Sequence, residues 1–421
     1  MSAVRPSVVR PSAVRPSAVL VGAAFVATLA GHFTLERIGL SIPVLNDVRV
    51  LLFTAVVLSF LLEQHHAGEK GRWLDRGASR ALYPVLLLLG YQMLSASWAP
   101  RGAIINDVLS DLVSMGVLLV VYANLAVWDR DRVIKITFAL LYVAGWLYFL
   151  YAASGRGHTA SGRWAAFGGG PNVFVRVMVL GIFAAAYFYF RYNGKLVWLI
   201  GVPPFLVGAL ASGSRGGLAA LGIATAVALP SLWPTIRSMR FVKAVIALAI
   251  LLGVLWSLIG AMVTDLLNNR LVATTLQNRY TSDRDVLYEK GVEVFTERPI
   301  LGSGVHGFYA ITNLGPGERY VHNLPLAVAA EGGAVGLILL LFALWALRTE
   351  YARLPARQRS LESRAAAYAG IFVLGASLFS GDYYDARLMW ILWLLAAIHP
   401  ASEIIRNAGS TPLKARHPSA P

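Results

Sequence analysis

The sequence predicts an all-α integral membrane protein of about 12 transmembrane helices with one large external helical loop. Three observations predict it. Of 421 residues, 57% are hydrophobic and only 14% charged, where a soluble domain carries roughly a quarter of its residues as Asp, Glu, Lys and Arg. The apolar residues fall in long runs separated by polar connections, so lipid is the solvent this chain needs. Most of its 37 basic residues sit on alternate connections, the asymmetry that keeps positively charged flanks on the cytoplasmic side.

Taken in order, residues 1–17 repeat Val-Arg-Pro-Ser from Val4, Val9 and Val14, and each proline blocks regular hydrogen bonding. A disordered basic cytoplasmic tail is expected. The tail and the run at 18–33 resemble a signal peptide, but no small-residue cleavage pair follows, which favours a retained signal anchor. Apolar runs continue at 48–62, 81–98, 108–128, 133–153, 173–190, 196–211, 216–232 and 241–263, so transmembrane helices 1–9 are assigned to 18–263. A hydrophilic stretch at 264–323 forms the large loop. Runs at 324–347, 365–380 and 388–399 place transmembrane helices 10–12 in 324–405, leaving a tail at 406–421. Arg348, Arg353, Arg357, Arg359 and Arg364 share one linker, which puts both termini in the cytoplasm and the loop outside.

The formal charge of +15 is scattered over membrane-flanking connections instead of gathered on one domain face, so no nucleic acid is expected as partner. There is no cysteine. Disulfides, thiolate metal sites and a cysteine nucleophile are thereby excluded.

Chemistry should sit where polar residues interrupt the apolar pattern. In the large loop, Ser282 and Asp285 have capping-box spacing, and Tyr288, Val292 and Phe295 then recur as one helical face until Pro299. A glycine-rich segment, 301–307, and a turn at Gly315-Pro316-Gly317 lead to His322, just before a membrane helix. A second interruption, Ser212-Gly213-Ser214-Arg215-Gly216-Gly217, opens another helix that Ser212 or Ser214 can cap. Gly168-Gly169-Gly170-Pro171-Asn172 opens a third, with Asn172 as a cap or polar contact. All three lie on the external side. Asp111 and Glu331 fall within spans and should face the bundle interior, either each partnered by an internal arginine or a backbone group or as parts of a proton pathway, with the first favoured because no regular string of such residues continues through the membrane. Asp382 and Asp385, near an external turn, read as solvated.

Arg215 and Arg284 each stand in the first turn of a helix, where the dipole disfavours a cation by about 0.3–1 kcal/mol. A bound anion would offset this, since helix N-terminal amides and guanidinium groups both donate to phosphate oxygens. Two such positions suit a diphosphate. Bland alternatives stand beside this reading: Arg215 can snorkel to the interface, Arg284 can pair with Asp283, Asp285 or Glu289, and His322 and His306 can be structural. No external His, Asp and Glu cluster has metal-ligand spacing, so neither metal nor cofactor is expected.

Ser214-Arg215-Gly216-Gly217, Arg284, Arg298-Pro299-Ile300-Leu301-Gly302-Ser303-Gly304, His322-Asn323, Glu331-Gly332 and Gly336 together resemble the O-antigen ligase and polymerase superfamily, over about 167–336. The resemblance implies a GT-C-like membrane glycosyltransferase of the bacterial inner membrane. Its donor would be an undecaprenyl diphosphate-linked glycan, used at the periplasmic face with inversion and without metal. By resemblance Arg215 and Arg284 bind the diphosphate and take part in catalysis, His322 is the general base, and Ser214, Asn172 and Asn323 bind substrate. Chain length and the single large loop look most like the ligase, whose acceptor is a hydroxyl of the lipid A-core oligosaccharide. Polymerases and protein O-oligosaccharyltransferases share these motifs. A lipid-linked anion transporter or flippase is the alternative from another class, and broken helices at the midplane with internal repeats would mark it.

Overall fold

The computed structural model describes residues 16–30, 48–67, 74–267, 284–314 and 320–399. The expected terminal tails (16 and 17 apart), the Ser282-Asp283 cap and the Gly315-Pro316-Gly317 turn lie outside them. The described residues form helices α1 (Ala18–Ala30), α2 (Val48–Ala67), α3 (Arg76–Leu94), α4 (Ile105–Ala153), α5 (Pro171–Arg191), α6 (Val202–Ala211), α7 (Arg215–Ile236), α8 (Met239–Leu267), α9 (Arg284–Glu297), α10 (Gly307–Thr312), α11 (Leu324–Ala352), α12 (Leu361–Ser377) and α13 (Arg387–Ala397). Every apolar run of the sequence lies largely on one of these helices. Among the described residues, four segments are long and apolar enough to cross a membrane: Arg76–Trp98, Ile105–Ala153, Pro171–Arg191 and Leu324–Ala352. Ala18–Ala30, Leu51–His66, Leu196–Ala211, Val242–Val254 and Arg387–Ala397 are apolar but shorter.

Two polar layers bracket the bundle. α4 is continuous by hydrogen bonding but leaves helical geometry at Asp129 (φ −155°, ψ 81°), where the Asp129 carboxylate accepts the Arg132 amide at 3.1 Å and starts the second leg. Beside that bend Arg130, 1% exposed, donates to Ile398 O, Ser360 Oγ and Asp131, so the bend of α4, the start of α12 and the end of α13 share one layer. Arg191 at the end of α5 joins Glu362 at 3.2 Å in the same layer. From there α5 runs 21 residues to Pro171 at the opposite layer, about 31 Å at the helical rise. That opposite layer carries the candidate site.

α11 is broken. Gly333 stands at φ 62°, ψ −160°, which interrupts the helical ladder inside an apolar segment where unmatched backbone groups cost several kcal/mol each. The glycine-rich segment 299–304 repairs the break. Ser303 and Gly304 amides donate to Ala330 O and Glu331 O at 3.0 and 2.9 Å, while Ala334 and Val335 amides donate to Pro299 O and Ile300 O at 2.8 and 3.2 Å. The glycines are there because the two backbones nearly touch. A Cβ on Gly302 would lie 2.4 Å from Glu331 O, and one on Gly333 2.3 Å from Ile300 O. Tyr91 Oη closes the clasp from α3, 2.8 Å from Gly332 O.

α9 docks on α11 through Leu287, Gly291 and Val294, with Phe308, Val321, Ala327 and Ala330 completing the patch. The expected face of Tyr288, Val292 and Phe295 is rotated by one residue. Tyr288 flanks the seam, Phe295 is half-buried, and Val292 is 50% exposed. The seam centres on Gly291, whose missing side chain lets Val321 and Leu326 approach to within 3.1 Å of its Cβ position.

Candidate functional site

Four helix starts and one helix end meet in the site layer. α5 opens with Pro171 at its first position, where the missing amide is no loss. Asn172 next to it is the hub. Its Nδ2 donates to Ser380 Oγ at 2.8 Å and its Oδ1 accepts from Ser214 Oγ at 2.8 Å, so one side chain ties α5 to the start of α7 and the turn after α12. Asn323 caps α11 by accepting the Leu326 amide at 3.0 Å, and its Nδ2 donates to Leu378 O at 3.0 Å. Both asparagines, expected on the substrate, thus brace the helix starts that carry the charged groups.

Ser214 precedes α7, with its carbonyl accepting the Leu218 amide at 3.2 Å and its own amide donating to Ser212 Oγ at 3.1 Å. Arg215 is then the first residue of the helix and half-buried. Gly216 and Gly217 follow for want of room, since Phe379 Cβ and Val175 Cγ1 each stand 2.4 Å from where a Cβ would lie. Arg284 opens α9 in the same way. Burial lowers the proton affinity of Arg284, and the neighbouring Arg215 lowers it further against the phenols of Tyr288 and Tyr320. The two guanidinium groups therefore feel each other although 69 residues separate them in sequence.

His322 lies between α9 and α11 in the left-handed region, φ 60°. Its ring centroid is 4.3 Å from that of Tyr320. Burial first, then the charges of Arg284 and Arg176, bring the imidazole down to about 4, with Asp385 opposing. His322 is consequently neutral around pH 7.

Arg176 and Asp385 belong to this site. Arg176, one helical turn past Asn172, donates through Nη2 to Ser380 O and through Nη1 to Asp385 O at 3.3 Å, and Nη1 lies 3.8 Å from Asp385 Oδ2. Asp385 also lies 3.9 Å from Arg387, and its amide donates to Asp382 Oδ1 at 2.8 Å. The reading of Asp385 as a solvated loop position is corrected by these partners. A buried charge needs a counter-charge. An arginine inside an apolar helix was the available signal, and a carboxylate on the connection of the same polar layer its natural partner.

Glu331 is 5% exposed and receives backbone hydrogen bonds from His306 and Phe308, so a backbone group meets it as expected. His306 Nδ1 accepts the Ile104 amide at 3.1 Å, which makes this ring a strut between the large loop and the start of α4. Asp111 is buried in α4. Among the described residues no group of three or more His, Asp or Glu gathers as a metal site would require. The cationic character of the site comes from its arginines.

Residues 200–341 match the family model described as O-antigen ligase. The stretch, about a third of the chain, contains Arg215, Arg284, His322 and both halves of the α11 clasp, and this similarity supports the resemblance to the ligase and polymerase superfamily. Asn172, Arg176 and Asp385 lie outside the match. No curated protein matches the chain.

Proposed function

With an O-antigen ligase domain at 200–341 as the premise, we propose that this chain is a GT-C-like glycosyltransferase of the bacterial inner membrane. It moves a glycan from undecaprenyl diphosphate to a hydroxyl of the lipid A-core oligosaccharide at the periplasmic face. The observation that carries this reading is the convergence of Arg215, Arg284 and neutral His322 from three separate elements in one polar layer. Two cations at helix starts repel each other and oppose the helix dipole. A diphosphate relieves both penalties, and two guanidinium forks match its oxygens.

In the reaction, the acceptor hydroxyl gives its proton to His322 as its oxygen attacks the anomeric carbon. The bond from that carbon to the carrier's diphosphate breaks with the electron pair going to the diphosphate oxygen. Arg215 and Arg284 stabilise the charge that develops there. Direct displacement inverts the anomeric centre. An imidazole near 4 is a weak base, but the bound diphosphate opposes the Arg284 charge that depresses it. The base thus gains strength when the donor is in place. Arg176 and Asp385 hold the surrounding turn and do not touch the reacting atoms in this scheme.

One observation bears on the transporter alternative: α11 is broken. The break lies ten residues into a 29-residue helix, about 14 Å from its start by the helical rise, close to midway between the two polar layers. Segment 299–304 fills it, whereas a transporter's broken helix lines a ligand cavity. The break therefore supports fixed scaffolding of the site.

Purified protein with carrier-linked glycan and core acceptor should form the transfer product after thorough chelation of divalent ions, because the arginines supply the positive charge. Transport without transfer, or an absolute need for Mg²⁺ or Mn²⁺, overturns the scheme. Deleting the gene separates ligase from polymerase. Core lacking any O-antigen while long polymer accumulates on the carrier marks the ligase, and core capped with one repeat marks the polymerase.

A further inference from the structure

The connection between α4 and α5 is a small built element. Thr159 and Ala165 amides donate to Arg163 O and Gly157 O at 2.9 and 2.7 Å, so residues 157–165 form a tight hairpin with its tip at Ser161-Gly162. Gly157 is required there, since a Cβ would lie 2.2 Å from Ala165 O. Trp164 roots the hairpin in the core, 3% exposed, with its ring 5.8 Å from Phe149 and its amide on Ala211 O at 3.1 Å. Arg163 Nε donates to Ser212 O at 2.8 Å, in the turn that positions Arg215.

The hairpin and the residue before it present Arg156, His158 and Arg163 within eight residues, with Arg156 and His158 exposed. No Asp or Glu occurs anywhere between Asp131 and Asp265, so neither the hairpin nor the turn at Ser212 carries a carboxylate of its own. On the periplasmic side such a concentration of arginine runs against the usual charge bias of membrane proteins. Packing accounts for Arg163 through Ser212 O and for the His158 ring, 5.9 Å from that of Trp164, but not for the exposed Arg156. A polyanion is the natural ligand for an ordered cationic element.

We propose that hairpin 157–165 is the seat of the acceptor, and that it selects an acceptor saccharide bearing phosphate groups through Arg156, His158 and Arg163 beside Arg215. The proposal rests on the glycosyltransferase reading above. Transfer needs two substrates, and the donor's diphosphate is already matched by Arg215 and Arg284. A second cationic element attached to the turn of Arg215 fits the second substrate, held so that one of its hydroxyls reaches His322. The anion is assigned to the acceptor and not to phospholipid headgroups, since a headgroup sensor needs no registration with a diphosphate-binding arginine.

The test uses the full chain in nanodiscs of phosphatidylcholine with carrier-linked donor and a core glycolipid acceptor, either phosphorylated or treated with phosphatase. Wild-type protein should show an acceptor KM about tenfold lower for the phosphorylated form, the worth of one or two charge-assisted contacts. Arg156→Gln with Arg163→Gln should erase that difference. Because Arg163 also holds Ser212, Arg156→Gln with His158→Gln serves as a second variant that keeps this strut, and it should erase part of the difference and leave the donor KM unchanged. Equal KM for the two acceptors in wild type, an equal rise in donor KM in this second variant, or an effect seen only with added phosphatidylglycerol overturns the proposal. Acceptor binding measured without donor separates the two readings. Phosphate-dependent binding lost in the variants without any transfer overturns the enzyme reading alone, and phosphate-independent binding with normal transfer overturns the hairpin alone.

Discussion

His322 is held in a left-handed backbone conformation that non-glycine residues rarely adopt, between a capping asparagine and a tyrosine ring. That strain fixes where its ring lies. Since a base works only when unprotonated, kcat/KM, which reports the free enzyme, should stay level below neutrality and fall only as pH drops through about 4. The kcat profile reports the donor complex, and its acid limb should lie at higher pH because the diphosphate favours the protonated ring. Coincident limbs would show that His322 does not feel the donor. Asp385→Asn removes the charge that opposes the arginines, so the kcat/KM limb should move to still lower pH, while Arg284→Ala should move it up. An unmoved limb in both variants would take His322 out of the titration. His322→Ala should keep donor binding and lose turnover by about 10²-fold, as removal of a general base does. Arg215→Lys and Arg284→Lys should each weaken donor binding, because an ammonium cannot present a fork of donors to two phosphate oxygens; single-turnover rates and donor titration measure both effects.

At the scale of elements, the clasp between segment 299–304 and the break in α11 decides how α9 and α11 stand to each other, and so how Arg284 stands to His322. Gly302→Ala forces a side chain into Glu331 at a left-handed position and should cost roughly 3 kcal/mol or more, with a matching fall in Tm in detergent. Gly155→Ala is the control. Gly155 has φ 82° with nothing within 4 Å of its Cβ position, so only backbone strain of about 1 kcal/mol is expected. Equal losses in the two variants would show that the clasp contributes nothing. The helices themselves were legible in the sequence because a lipid-spanning run announces itself by composition alone. The clasp was not. Its motif, Arg298 to Gly304, stood out by glycine content, yet the partner backbone lies some thirty residues on and has no side-chain signature beyond Gly333. The α9 face was displaced by one position for a related reason: its seam centres on Gly291, which an apolar pattern does not register. Arg215 and Arg284 were visible as charges at helix starts, and His322 as a histidine just before one. The Arg176 and Asp385 brace was hidden because a residue's distance from a span end does not tell which way the chain turns after it.

For the whole molecule, the two polar layers about 31 Å apart fix which connections share a side. A tag after Asn313 should be reached by impermeant reagents from the periplasm and a tag after Pro355 only from the cytoplasm; labelling of the second site in intact cells would reverse the orientation and move the site with it. The repaired break in α11 also sets an order of events during synthesis. The carbonyls of Ala330 and Glu331 and the amides of Ala334 and Val335 are matched by a segment made about thirty residues earlier, so α11 and segment 299–304 must reach their places together. A chain ending before Gly333 would leave the Pro299 and Ile300 carbonyls without the Ala334 and Val335 amides. Half a clasp holds nothing in register, so the geometry between α9 and α11 is settled only once both legs of α11 are in place.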